Sequence, residues 1–153
     1  MEKGDLIFEK GKGPIDLLVR LRTWSKYSHV AMYLGDNKII ESHWFGGVRI
    51  RDFDDAINYD YDVYEFPYTN AKIKAEIADN TCIYEGYKYD KLQILGFAFK
   101  GWLLGKNILN SPQMIICSEL MVKGARTRLQ NFMQDMYIGD ITPANMTDYL
   151  NKK

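Results

Sequence analysis

Residues 28–43 read Ser-His-Val-Ala-Met-Tyr-Leu-Gly-Asp-Asn-Lys-Ile-Ile-Glu-Ser-His, and this stretch decides the fold. Residues 28–34 alternate like a strand, Gly35-Asp36-Asn37 carries turn chemistry, and residues 38–42 form a second strand, which predicts an antiparallel hairpin. If the turn is the three residues Gly35 to Asn37, Leu34 faces Lys38, Ala31 faces Glu41 and His29 faces His43. Strand side chains alternate faces, so this register projects His29, Glu41 and His43 from one side. Glu41 is then diagonal to His29, at roughly 7 Å between backbones, within reach of a carboxylate–imidazole hydrogen bond. A two-residue turn would send Glu41 to the opposite face.

Upstream, residues 6–8 give a short apolar strand signal after Gly4-Asp5, and Gly11 to Gly13 break it. Pro14 then suits the first position of an amphipathic helix of about three turns carrying Ile15, Leu18, Val19 and Leu21 to Trp24. Downstream, Gly46-Gly47 turns into Val48-Arg49-Ile50-Arg51, an alternating strand with its arginines on the wet face. Residues 62–66 read as a further strand stopped by Pro67. A helix is predicted from Ala71 to about Tyr84, capped by Thr69 or Asn70, with Cys82 as packing and Lys72, Lys74 and Glu76 on a solvated face. Residues 92–104, the most apolar window, predict another helix; Lys100 interrupts it and it is too short to span a bilayer. Residues 105–112 read as a loop, and Thr142-Pro143 opens a terminal helix through Leu150. With no repeat, low-complexity tract or linker, one α+β domain over residues 1–153 is expected.

The second informative stretch is Met-Ile-Ile-Cys-Ser-Glu-Leu-Met-Val-Lys-Gly, residues 114–124. Its apolar start delivers Cys117 to a segment in which Leu120, Met121 and Ala125 recur at helical spacing. A thiol at a helix N-terminus feels unpaired N–H groups and the positive end of the dipole, which favour thiolate. Those N–H groups could also stabilise an oxyanion formed when the sulfur attacks a carbonyl. Most free cysteines are simply small buried hydrophobes, so a catalytic reading of Cys117 requires a base.

His29 and His43 are the only histidines in the chain. With Cys117 as nucleophile, His29 as base and Glu41 as the carboxylate that orients the imidazole, the chain holds the parts that activate a thiol. Sequence spacing alone does not bring residue 117 to residue 29. Two other readings use the same residues: His29, His43 and Glu41 as zinc ligands, although no His-Glu-x-x-His spacing exists, or a binding cleft without turnover. In the latter, Phe97, Phe99 and Trp102 would give an apolar wall that captures an acyl or peptide ligand.

Composition narrows the partners. Twenty basic and 20 acidic side chains leave no net charge, so bulk electrostatics suggests neither a nucleic acid nor an anionic membrane, while a local patch remains open. Two cysteines argue for thiols rather than a disulfide framework. No signal-peptide pattern opens the chain, and a cytoplasmic or phage-borne protein without a transmembrane segment is expected.

Several segments together resemble a known family. Gly4-Asp5-Leu6-Ile7-Phe8, residues 27–35, Ile39-Ile40-Glu41-Ser42, Gly86-Tyr87-Lys88-Tyr89-Asp90, Ile116-Cys117-Ser118-Glu119-Leu120 and Ile141-Thr142-Pro143 resemble the circularly permuted NlpC/P60 superfamily, in its YiiX-like branch of papain-fold cysteine hydrolases. The His-Val-x-x-Tyr-Leu-Gly stretch, with a polar residue twelve positions after the histidine, is the most specific part. The resemblance implies a central antiparallel sheet or half-barrel with the cysteine helix packed on it, and Cys117, His29 and Glu41 as catalytic residues. It implies substrate-binding or oxyanion roles for Tyr87 and Ser118, with Tyr84 and Tyr89 competing for the tyrosine position. It further implies amide or ester cleavage, or acyl transfer, through an acyl-thioester without a cofactor, on a peptide, amide or acyl-lipid substrate. The chain departs from secreted wall hydrolases in showing no export signal or wall-binding module.

Overall fold

The computed structural model describes residues 1–91 and 114–151; the helix expected over residues 92–104 and the loop over 105–112 lie outside the described residues. An antiparallel five-stranded sheet has the order β4-β3-β2-β1-β5. Its strands are β1 (Leu6–Glu9), β2 (His29–Gly35), β3 (Lys38–His43), β4 (Gly47–Asp52) and β5 (Tyr61–Tyr64). Helices α1 (Pro14–Thr23), α2 (Phe53–Ala56), α3 (Ala71–Cys82), α4 (Cys117–Arg126) and α5 (Pro143–Leu150) make the fold α+β.

The pleat divides the core in two. Leu6, Phe8, Val30, Met32 and Ile40 face α3 and α4, where they meet Ile77, Leu120 and Met121. Their strand neighbours Ile7, Ala31 and Ile39 face the other way, onto Ala56 of the short helix α2 and the half-buried Tyr33 and Phe53. β1 is flanked on both sides and buried on both faces, which explains why it reads as an unbroken apolar run. The Asn70 side chain caps α3 by accepting from the Ile73 N–H at 3.0 Å, and Thr142 caps α5 in a reciprocal box with Asn145.

The hairpin reaches the expected register by a different route. Ala31 pairs with Glu41 and Tyr33 with Ile39, but the strands close at Gly35–Lys38 around a two-residue turn. Asp36 and Asn37 have φ of 48° and 57°, the left-handed geometry that matches strand twist in a two-residue turn. The parity that such a turn would reverse is restored by a bulge between Tyr33 and Gly35, which leaves Leu34 as the extra residue. Gly35, at φ 87°, takes the backbone conformation this requires.

Four other expectations are corrected. β5 covers Tyr61–Tyr64 rather than 62–66, because Phe66 turns into the core against Phe132, with ring centroids 5.3 Å apart. Lys74 is buried: its Nζ lies 2.9 Å from Asp5 Oδ1 and 2.7 Å from Glu2 Oε2, with Glu65 at 3.5 Å. Burial pushes the Lys74 amine down, but these carboxylates outweigh it and hold its pKa above the usual lysine range. Arg49 and Arg51 leave the wet face and turn toward Glu41. Finally, α1 forms where expected but none of its residues is buried, so its apolar stripe does not join the core formed by the described residues.

Candidate active site

His29 and Glu41 project from the face of the sheet that carries Ala31 and Ile39, whereas α4 packs on the opposite face. They nevertheless meet, because His29 is the first residue of β2 and Cys117 the first of α4. At that end of the sheet both side chains line one cavity, and Cys117 is near enough to the imidazole to raise its pKa. The segment leading into α4 is pinned on both sides. Ser42 Oγ donates to the Ile115 carbonyl at 2.5 Å, and the Ile115 N–H donates to the Lys88 carbonyl at 2.8 Å. These bonds fix Cys117 two residues further on against β3.

His29 Nε2 lies 3.0 Å from Glu41 Oε2, which leaves Nδ1 as the nitrogen for the thiol. The other oxygen of Glu41 accepts from Arg49 Nε at 3.0 Å and pairs with the guanidinium charges of Arg49, Nη2 at 2.9 Å, and Arg51, Nη1 at 3.6 Å. Burial alone would raise the Glu41 pKa, but the bond to His29, the neighbouring histidine charges and the bond from Arg49 pull it down to about 2. For His29, burial disfavours the imidazolium, yet Cys117 and then Glu41 outweigh that and lift its pKa well above the ordinary value. The arrangement favours an imidazolium at His29 backed by a carboxylate that is ionised at neutral pH. His43, with its ring centroid 6.1 Å from that of His29, goes the other way: burial lowers its pKa, which favours the neutral ring.

Cys117, 5% exposed, opens onto a cavity of about 530 Å³ that also contains His29, Glu41 and Ser118. Leu18, Val19 and Arg22 of α1 form one wall, and Trp44, Phe45 and Tyr89 another. Tyr87 does not line this cavity. Its ring packs edge-on against Tyr84 at 5.5 Å and its carbonyl accepts from the Val48 N–H at 2.8 Å. The tyrosine at the site is Tyr89, whose hydroxyl pKa is raised well above the ordinary value by burial and by the proximity of Cys117. Ser118 is at the site, but its hydroxyl donates to the Ile141 carbonyl at 2.5 Å. Its remaining donor is the backbone N–H, in the first turn of α4, where N–H groups have no intrahelical partner.

Sequence reasoning missed Arg49 as a partner of Glu41 and Glu9 as a neighbour of His29. Glu9 pairs with His29 across β1 and β2, lines the cavity and has its pKa raised by burial. Arg49 was recoverable, since it faces Glu41 once β4 is paired with β3 across the Gly46-Gly47 turn. Nothing in the sequence pairs Glu9 with His29. Among the described residues, no three His, Cys, Asp or Glu side chains are grouped to hold a metal ion, and Glu41 is already paired with His29 and Arg49. Phe97, Phe99 and Trp102 lie outside the described residues. Among the described residues no helix is long and apolar enough to cross a membrane. No family model matches the chain, and a search of curated proteins finds no match.

Proposed function

We propose that the protein is a papain-like thiol hydrolase or acyltransferase of the permuted NlpC/P60 type, cleaving an amide or ester through an acyl-cysteine on Cys117. The observation that carries this reading is the hydrogen bond between His29 Nε2 and Glu41 at the wall of the same cavity that Cys117 lines. The Cys117 thiolate adds to the substrate carbonyl carbon, and the electron pair moves onto the carbonyl oxygen. In this reading backbone N–H groups at the α4 N-terminus and the hydroxyl of Tyr89, which lines the same cavity, donate to that oxyanion. On collapse the C–N or C–O bond breaks, and imidazolium His29 gives its proton to the leaving amine or alcohol. His29, now neutral, takes a proton from water or an acceptor alcohol, which attacks the thioester, releases the acyl group and restores the thiolate. Glu41, held ionised by Arg49, keeps the ring oriented throughout.

The test is a panel of acyl probes covering peptide, simple amide and acyl-lipid electrophiles, with the adduct read by intact mass. Wild type is expected to gain one acyl mass, and Cys117→Ala and His29→Ala none, with all three equally folded by circular dichroism. Iodoacetamide at neutral pH should modify Cys117 well ahead of Cys82, whose thiol is pushed up by burial and donates to the Ala78 carbonyl at 3.3 Å. Equal, slow labelling of both thiols sinks the proposal.

A further inference from the structure

A row of three polar side chains crosses the sheet at the cavity. Glu9 of β1 pairs with His29 of β2, and continuing the Ala31–Glu41 register sets His43 of β3 opposite His29 on its other side. Residues directly opposite one another share a face of the sheet, and all three line the cavity. The two histidine rings meet edge to face, with centroids 6.1 Å apart. Glu9 and His43 therefore flank the imidazole assigned to the thiol, with their backbones about 10 Å apart across two strand spacings.

Each flanking side chain is anchored through one polar atom and leaves the other open. Glu9 is 7% exposed; its Oε1 accepts from the Asn58 N–H at 3.3 Å, and its Oε2 takes no hydrogen bond among the described residues. His43 Nδ1 accepts from the Phe45 N–H at 3.2 Å, and burial favours the neutral ring, which then carries its proton on Nε2. The Phe45 carbonyl, 3.3 Å from the same nitrogen, takes a proton from it in the charged ring, and Nε2 keeps its own proton in that state too. That N–H has no partner among the described residues. An acceptor thus stands on one side of His29 and a donor on the other.

We infer that Glu9 and His43 are specificity-determining residues, which hold a substrate through a hydrogen-bond donor on one side of the reacting carbonyl and an acceptor on the other. The inference rests on the proposed function and chooses within it, for an amide-linked chain over a plain acyl chain. About 10 Å is the span of about three residues of extended chain. With the reacting carbonyl beside His29, a peptide group falls at each end, one N–H donating to Glu9 Oε2 and one C=O accepting from His43 Nε2. A plain acyl chain would set methylenes against both atoms and leave each unpaired, which costs more than a hydrogen bond returns. A metal ion is excluded as the occupant, because among the described residues no three His, Cys, Asp or Glu side chains are grouped to hold one.

Acylation of Cys117 by three thioesters, read by intact mass, tests the assignment. Phenyl thiobutyrate is plain on both sides of its carbonyl, the phenyl thioester of acetylglycylglycine carries amides on the acyl side, and S-butyryl-N-acetylcysteamine carries one on the leaving side. Relative to phenyl thiobutyrate, His43→Phe should slow one amide-bearing probe by about tenfold and Glu9→Met should slow one by about tenfold. His43→Gln keeps an N–H at the ε position and Glu9→Gln keeps the acceptor oxygen and the bond from Asn58, so each should recover most of the loss. Ratios that stay at the wild-type value in both His43→Phe and Glu9→Met overturn the inference. A second measurement needs no thiol chemistry. The chain has only two histidines, so the imidazole ¹⁵N spectrum of Cys117→Ala is simple, and acetylglycylglycine amide should shift the His43 Nε2 resonance, with binding about tenfold weaker in His43→Phe. An unshifted His43 overturns the inference, whereas a shifted His43 in a chain that no thioester acylates overturns the thiol mechanism and upholds the binding assignment.

Discussion

Glu41→Gln keeps the size of the side chain and an acceptor oxygen toward His29 Nε2, and removes only the charge that His29 and Arg49 complement. In the folded chain the Glu41 pKa falls from 4.5 to about 2 although the group is buried. At about 1.4 kcal/mol for each tenfold change in proton affinity, that fall corresponds to about 3 kcal/mol of stability. The folded value lies below the unfolded one, so the contribution is complete above pH 4.5 and is lost as pH drops from there toward 2. Urea unfolding followed by circular dichroism should therefore find Glu41→Gln about 3 kcal/mol less stable than wild type at pH 7, with the gap closing toward pH 2. For a chain of this length the neutral-pH loss corresponds to a melting temperature lower by about 6–12 °C. A second readout follows from His29, whose pKa is raised in part by Glu41. The alkaline edge of Cys117 modification by an acyl probe should move to lower pH in the variant as the imidazolium loses its anionic partner. A variant as stable as wild type at pH 7, or a gap that ignores pH, refutes the view that Glu41 is an ionised partner held by His29 and Arg49.

Three further perturbations probe the supports of the site and of the fold. Arg49→Ala removes a hydrogen-bond donor and a paired charge from Glu41, so acid unfolding should begin at higher pH and Arg49→Lys should restore part of the difference, both read by pH titration of the circular dichroism signal. Lys74→Met leaves the buried Asp5 carboxylate without its ammonium partner and should cost about 3–5 kcal/mol in urea unfolding, part of which Asp5→Asn in the same chain recovers. Gly124→Ala places a Cβ 1.9 Å from Thr81 Oγ1, where α4 rests on α3, and should cost about 1–3 kcal/mol; Thr81→Ala should reverse much of that loss, and the double-mutant cycle measures how much.

What sequence could and could not reveal follows from the range of each rule. Period two is local, so once Ala31 is set opposite Glu41, His29 and Glu41 must share a face; a three-residue turn and a two-residue turn with one bulge give that same parity. Period two says nothing about α4, which packs on the other face, and the thiol reaches the imidazole only because both residues begin their elements. Lys74 shows a different limit. Helical spacing places it with Ile77, Ala78 and Thr81 on the buried stripe of α3, and the expectation that lysine is solvated overrode a correct geometric signal. Three carboxylates, from the N-terminal segment and from the stretch after β5, make that burial tolerable, and no window along α3 contains them. The same reasoning bears on α1. Apolar residues at helical spacing establish that a helix has an apolar side, but they do not establish that the chain itself covers it. Along α3 that side is core, whereas along α1 none of the residues is buried, so one periodicity serves core packing in one helix and lines the cavity through Leu18 and Val19 in the other.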